Sequence, residues 1–109
     1  MTAPVPNIGV HELAEAMREG APLIDVRELH EFEEVRADSA RLIPLADVSG
    51  RLSEFPNDRT FFVICHLGGR SLRAAAFLRQ NGLDAVNVDG GTDAWVAAGL
   101  PTQSGPAGA

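Results

Sequence analysis

The run Phe61-Phe62-Val63-Ile64 puts large apolar or β-branched side chains on both sides of a strand, so neither face of the pleat can look at water. A strand of that kind is stable inside a parallel sheet covered by helices on both faces. The chain then passes through Cys65-His66-Leu67-Gly68-Gly69-Arg70-Ser71 into Leu72-Arg73-Ala74-Ala75-Ala76-Phe77-Leu78-Arg79, an alanine-rich helical segment. One strand, one tight turn and one helix are the unit from which parallel α/β sheets are built.

The same alternation runs through the rest of the chain. A short strand is expected around Asn7-Ile8-Gly9, and a helix over His11 to Arg18 with Leu13, Ala14 and Met17 on one face, stopped by Gly20 before Pro22. Pro22 to Val26 reads as a second buried strand, and Glu28 to Val35 as a short acidic helix with Leu29, Phe32 and Val35 turned inward. Leu42-Ile43 reads as a third strand ended by Pro44, and Leu45 to Phe55 as an interrupted helix containing Gly50. After the helix stop at Asn81-Gly82, Ala85 to Val88 forms the last strand, and Asp89-Gly90-Gly91 turns into a closing helix whose Trp95 belongs to the core. The fold class is α/β, a three-layer α/β/α sandwich on a parallel sheet. With 109 residues the chain supports one domain, expected over residues 5–101, with 1–4 and the small, polar 102–109 as flexible ends.

The chemistry concentrates at the turn after Phe61 to Ile64. Cys65 ends the strand, two glycines let the backbone curl so that its amides point inward, and Ser71 is placed to cap the following helix. Amides converging at a helix start attract an anion and favour thiolate over thiol, so Cys65 reads as a nucleophile rather than an inert core cysteine. Arg70 adds a fixed charge folded toward the loop, and Arg73 follows one turn later. Asp25, at the end of its strand, needs a donor if it is buried; with Arg27 it falls at the same sheet edge as Cys65 and either braces the loop or makes a structural ion pair.

Composition removes competing chemistries. All nine basic residues are arginine, which excludes Schiff-base catalysis and lysine-anchored pyridoxal phosphate. A net charge of −6 speaks against a nucleic-acid or anionic-membrane partner. Three scattered histidines and one cysteine match no metal-site spacing, and His11 reads as ordinary surface. The single cysteine cannot form an intrachain disulfide, no apolar run approaches a membrane span of about 20 residues, and the N-terminus has no secretory pattern, so the cytoplasm is the expected compartment.

The pattern Cys65-x-x-Gly68-x-Arg70-Ser71 between a hydrophobic strand and an alanine-rich helix resembles the active-site loop of the rhodanese family of sulfurtransferases. Leu23-Ile24-Asp25-Val26-Arg27-Glu28 with Glu31-Phe32, Ala40 to Leu45, and Val88-Asp89-Gly90-Gly91 with Trp95, Gly99 and Pro101 resemble its other signatures in the same order. The resemblance implies a five-stranded sheet in the order 3-2-4-5-1 with the Cys65 strand in the middle. It also implies a persulfide carried on Cys65, bound by a loop of His66, Leu67, Gly68, Gly69, Arg70 and Ser71, with Asp25, Arg27 and Arg73 around it. Sulfur then passes from thiosulfate or a low-molecular-weight persulfide to a thiol or protein acceptor, or to cyanide in vitro, without metal or cofactor.

Two departures from the family pattern stand out. Val35-Arg36 and Asp38-Ser39 replace the usual glycines of one turn, which is expected to take a different path because Val or Ser would strain at positive φ. His66 stands where an Arg or Lys is common, so a fixed charge becomes one that ordinarily fades above about pH 6.5, and thiosulfate use is expected to be weak at alkaline pH or replaced by another donor. Other uses of the fold remain: a phosphatase or arsenate reductase, whose loops place five residues between Cys and Arg where this chain has four, His66 to Gly69, or a relay or non-catalytic module that binds a partner protein.

Overall fold

A computed structural model describes residues 4–107. Strands β1 (Asn7–Ile8), β2 (Leu23–Asp25), β4 (Arg41–Leu42), β5 (Phe61–Ile64) and β6 (Ala85–Val88) form one parallel sheet in the order β1-β6-β5-β2-β4. Numbered within this sheet alone and read from the other edge, that is 3-2-4-5-1, the order the resemblance implied. Helices α1 (Val10–Arg18), α2 (Leu29–Glu34), α3 (Gly69–Gln80) and α4 (Gly91–Ala97) connect or follow the strands. Leu45 to Phe55, expected as an interrupted helix, forms two 3-10 segments, Leu45–Asp47 and Ser49–Glu54, the second of them kinked at Arg51, which leaves helical geometry.

The apolar run of β5 is divided between two cores. Phe61, Val63 and Cys65 pack with Ala74, Ala75 and Leu78 of α3, while Phe62 and Ile64 pack on the other face with Leu13 of α1 and Trp95 of α4. Each such side chain removed from water stabilises the fold by about 1.5–3 kcal/mol, which is why the central strand can dispense with polar residues. Trp95 is core, as expected, and its indole N–H donates to the Pro101 carbonyl at 2.7 Å.

Three local expectations are corrected. Leu29 is half exposed rather than turned inward, since α2 is short and Phe32 alone fills the space beneath it. Ser39 itself adopts a left-handed φ of 72°, the one non-glycine among the described residues to do so, while Val35 is simply extended. The turn therefore keeps its positive φ and tolerates the strain, about 1–2 kcal/mol, on an exposed side chain. The tail is docked where it was expected to be loose. Strand β7 (Thr102–Gln103) pairs antiparallel with β3 (Arg36–Ala37), and Arg36 donates to the Gly105 carbonyl at 2.9 Å. The first three and last two residues, also expected to be flexible, lie outside the described part of the chain.

Candidate active site

The loop from Cys65 to Ser71 stands at the C-terminal end of the central strand, where the strands of a parallel sheet present their ligand-binding edge. Gly68 sits at φ 116°, a conformation that L side chains rarely adopt, and turns the chain straight into α3 at Gly69. This is earlier than the sequence suggested, and it corrects the role of Ser71. Ser71 is not the helix cap; it lies in the first turn, fully buried, with Oγ 3.3 Å from Cys65 Sγ. The Gly68 amide donates to the same sulfur at 3.1 Å.

Burial, the largest single influence on the Cys65 thiol, pushes its pKa up. The Ser71 hydroxyl and the amides of Ser71, Gly68 and Leu67 act together in the other direction and outweigh it, so the thiol ends below its ordinary value. The Ser71 hydroxyl has one proton and three acceptors around it: Asn87 Oδ1 at 2.6 Å, the Gly68 carbonyl at 3.2 Å and the sulfur at 3.3 Å. Asn87, buried on β6 and held by its Nδ2 donating to Asn7 Oδ1 at 2.8 Å, thus competes with Cys65 for that proton.

Arg70 is not free to grip an oxyanion. Its two terminal nitrogens fork onto Glu31 of α2, Nη1 to Oε1 at 2.7 Å and Nη2 to Oε2 at 2.8 Å. The Arg70 donors, with the Glu28 amide helping against a burial cost, hold the Glu31 carboxyl at about 2. Glu31 also caps its own helix by accepting the Glu28 amide at 3.0 Å, so one carboxylate ties α2 to the loop.

The position of α2 is set in turn by the buried pair Asp25–Arg27. Arg27 Nε lies 3.0 Å from Asp25 Oδ1 and Nη2 lies 2.8 Å from Oδ2. The remaining guanidinium donors reach the carbonyls of Val35 at 2.8 Å and Glu31 at 3.3 Å. Asp25 is paired in register with Ile64, one residue before Cys65. The pair is the buried ion pair of one sequence reading, and its further bonds to the Glu31 and Val35 carbonyls tie it to α2 rather than to the loop itself.

The other wall comes from α4. Its Thr92 amide donates to the Cys65 carbonyl at 2.8 Å and its Asp93 amide to the His66 carbonyl at 3.1 Å. Such contact requires Gly91, because a Cβ there would stand 2.4 Å from the His66 carbonyl oxygen and 2.5 Å from that of Cys65.

Of the residues singled out from sequence, Cys65, His66, Leu67, Gly69, Arg70 and Arg73 line one recess of about 400 Å³, and Gly68 and Ser71 lie beneath it. Asp25 and Arg27 lie behind it, in contact through α2. Glu31 and Asn87 were missed as partners of the loop. Glu31 was visible as part of a signature and as three residues after a capping Glu28, but its bond to Arg70 crosses 39 positions of sequence. Asn87 carried one signal, a polar residue at a buried position of a strand.

The rhodanese-like domain model matches residues 9–98. The chain belongs to the rhodanese-like family. Among curated relatives it is 38% identical over 80 residues to a sulfurtransferase of Allochromatium vinosum, the match covering 72% of this chain and 75% of that protein. It is 42% identical over 76 residues to the probable adenylyltransferase/sulfurtransferase MoeZ of Mycobacterium tuberculosis, covering 67% of this chain and 19% of MoeZ. The crystal structure of a rhodanese-related protein from Thermoplasma volcanium superposes with a TM-score of 0.85 at 31% identity, covering 90% of this chain and 97% of that one. No helix among the described residues is long and apolar enough to cross a membrane.

Proposed function

We propose that this rhodanese-like chain is a sulfurtransferase that carries sulfur as a persulfide on Cys65. The observation that carries the reading is the convergence of the Gly68 amide and the Ser71 hydroxyl on Sγ, 3.1 and 3.3 Å away, at the floor of an open recess. The Cys65 thiolate attacks the outer sulfur of thiosulfate; the S–S bond breaks, sulfite leaves with its electron pair, and Cys65–S–S⁻ remains. The loop amides stabilise the terminal sulfur as preorganised donors stabilise an oxyanion. An acceptor thiolate then attacks that outer sulfur and the electron pair returns to Cys65. A low-molecular-weight persulfide serves as donor by the same exchange.

Arg70 acts here through Glu31, closing the loop, and leaves Arg73 as the unpaired cation of the recess among the described residues. The small ring of four residues between Cys65 and Arg70 suits one sulfur atom better than a tetrahedral oxyanion.

Steady-state sulfite release from thiosulfate with cyanide or a thiol as acceptor tests the proposal. Turnover in the wild type that disappears in Cys65→Ala is expected. Sulfur transfer undiminished in Cys65→Ala, or hydrolysis of an aryl phosphate that depends on Cys65, overturns it.

A further inference from the structure

The competition for the Ser71 proton is decided by what lies beyond Asn87. The carbonyl of Val5, which can only accept, takes the Nδ2 of Asn7 at 3.3 Å. That turns Asn7 Oδ1 toward β6, where it accepts from Asn87 Nδ2 at 2.8 Å. Asn87 must then present its own Oδ1 to Ser71, and two oxygens 2.6 Å apart need a proton between them. An amide oxygen carries none, so the proton is that of the Ser71 hydroxyl. Three donors in a row point the same way, from α3 toward the segment before β1, and away from Cys65 Sγ.

The strand pairing does not need this row. Asn7 and Asn87 are register partners in the parallel sheet, and the Asn87 amide donates to the Pro6 carbonyl at 2.9 Å whatever the side chains do. What the two side chains fix is the direction of the Ser71 hydroxyl. Asn87 is buried and Asn7, on the edge strand, is exposed, so the row runs from beside the sulfur to the solvent edge of the sheet. None of the charged or titratable groups in or behind the loop belongs to it: His66, Arg70 and Arg73 line the recess, Asp25, Arg27 and Glu31 brace it, and Asp93 of α4 and Asp89 at the end of β6 are exposed.

A neutral sulfur is a weak acceptor and loses the proton to the amide oxygen, whereas a thiolate is charged and attracts it strongly. With Cys65 as thiol, or with its charge on the outer sulfur of a persulfide, the hydroxyl stays on Asn87. Formation of the thiolate turns it to Sγ, 3.3 Å away, and leaves Asn87 Oδ1 buried without that partner. We infer that Asn87, oriented by Asn7, is a positioning residue that restrains the Cys65 thiolate by holding the Ser71 proton away from the sulfur. The inference deepens the persulfide reading and rests on it for what the thiolate does: the same restraint acts when Cys65 attacks a donor and when it leaves as thiolate on discharge.

The pH midpoint of Cys65 alkylation tests this without any sulfur donor, so its failure is distinct from failure of the persulfide reading. Asn87→Val suits a strand and offers no acceptor, and the midpoint is expected to fall by about 0.5–1 pH unit, the scale of one neutral hydrogen bond. Asn87→Asp keeps the acceptor and charges it, so the midpoint should rise. In a Ser71→Ala background Asn87→Val should move nothing, since no proton is left to contest. Asn7→Ala frees the Asn87 amide to turn its Nδ2 to Ser71 and should lower the midpoint by a smaller amount, whereas Asn7→Asp, which can only accept, should not lower it. A merely structural role would act the other way, because a loosened loop loses donors to the sulfur and its midpoint rises. A midpoint unmoved or raised in Asn87→Val, or lowered as much without Ser71 as with it, overturns the inference. Should Asn87→Val fail to fold, the exposed Asn7 decides it, and a midpoint that Asn7→Ala does not lower overturns it equally.

Discussion

The two sides of Cys65 are built differently. Toward α3 the sulfur meets buried, hydrogen-bonded groups: the Gly68 amide, the Ser71 hydroxyl and, behind it, Asn87. Toward α4 and α2, past the Arg70–Glu31 bridge, Glu34 and Asp93 are exposed and form no ion pair among the described residues. The first side lowers the pKa of the sulfur and has little freedom to change, because the Gly68 amide is itself loop backbone and the Ser71 hydroxyl also reaches the Gly68 carbonyl. On the second side the exposed carboxylates of Glu34 and Asp93 hold no ion pair among the described residues, so these two side chains can change at little cost to the fold.

The largest expected effect comes from removing the brace that both sides share. Arg27→Met leaves the Asp25 carboxylate buried without its partner and should lower stability by about 3–5 kcal/mol in chemical denaturation. A loss within about 1 kcal/mol would mean that the pair does not hold α2 in place. Next, Ser71→Ala removes a donor from the sulfur side alone. The midpoint of Cys65 alkylation against pH should move up, and loading with sulfur near neutral pH should slow by about tenfold or more, the scale of a hydrogen bond to a charged group of about 1.5–3 kcal/mol. An unmoved midpoint would show that Asn87 keeps the hydroxyl proton throughout.

The bridge between the sides has its own pH signature. The Glu31 carboxyl is held at about 2 in the fold against an ordinary value of 4.5, so its contribution to stability is fully present above about pH 4.5 and is lost as pH falls toward 2. The stability gap between wild type and Glu31→Gln should therefore narrow over that window, as read by denaturation at successive pH values; a constant gap would contradict the bridge. The smallest effect lies away from both sides. Ser39→Gly should relieve the left-handed strain and raise stability by up to about 1 kcal/mol after its entropic cost, without altering Cys65 alkylation.

What could be read from sequence follows the same division. The buried strand Phe61 to Ile64 and the loop after Cys65 follow from local patterns, an unbroken apolar run, glycines and a helical repeat, whereas the sheet order and the central place of that strand come only with the resemblance to the rhodanese family. Even so, the start of α3 was misplaced, because Gly68 enters the helix directly and leaves Ser71 inside its first turn. The grip of Glu31 on Arg70 and of Asn87 on Ser71 depends on elements that meet only when the sheet forms, 39 and 16 positions apart in the chain. Gly91 gave a turn signal, but its need to pass within van der Waals distance of the Cys65 and His66 carbonyls is a property of two packed loops. The tail was misread for a similar reason. Thr102 to Gly105 is small and polar, and its order comes from β3 and Arg36, which no local feature of the tail announces.

Intact-mass analysis after brief incubation with thiosulfate, followed by removal of the donor, tests the sulfur side most directly. A gain of one sulfur atom on the wild type, removed by a thiol acceptor and absent in Cys65→Ala, is the predicted result. An unmodified wild-type mass with thiosulfate and with a low-molecular-weight persulfide alike, or an added sulfur that persists in Cys65→Ala, would contradict the account.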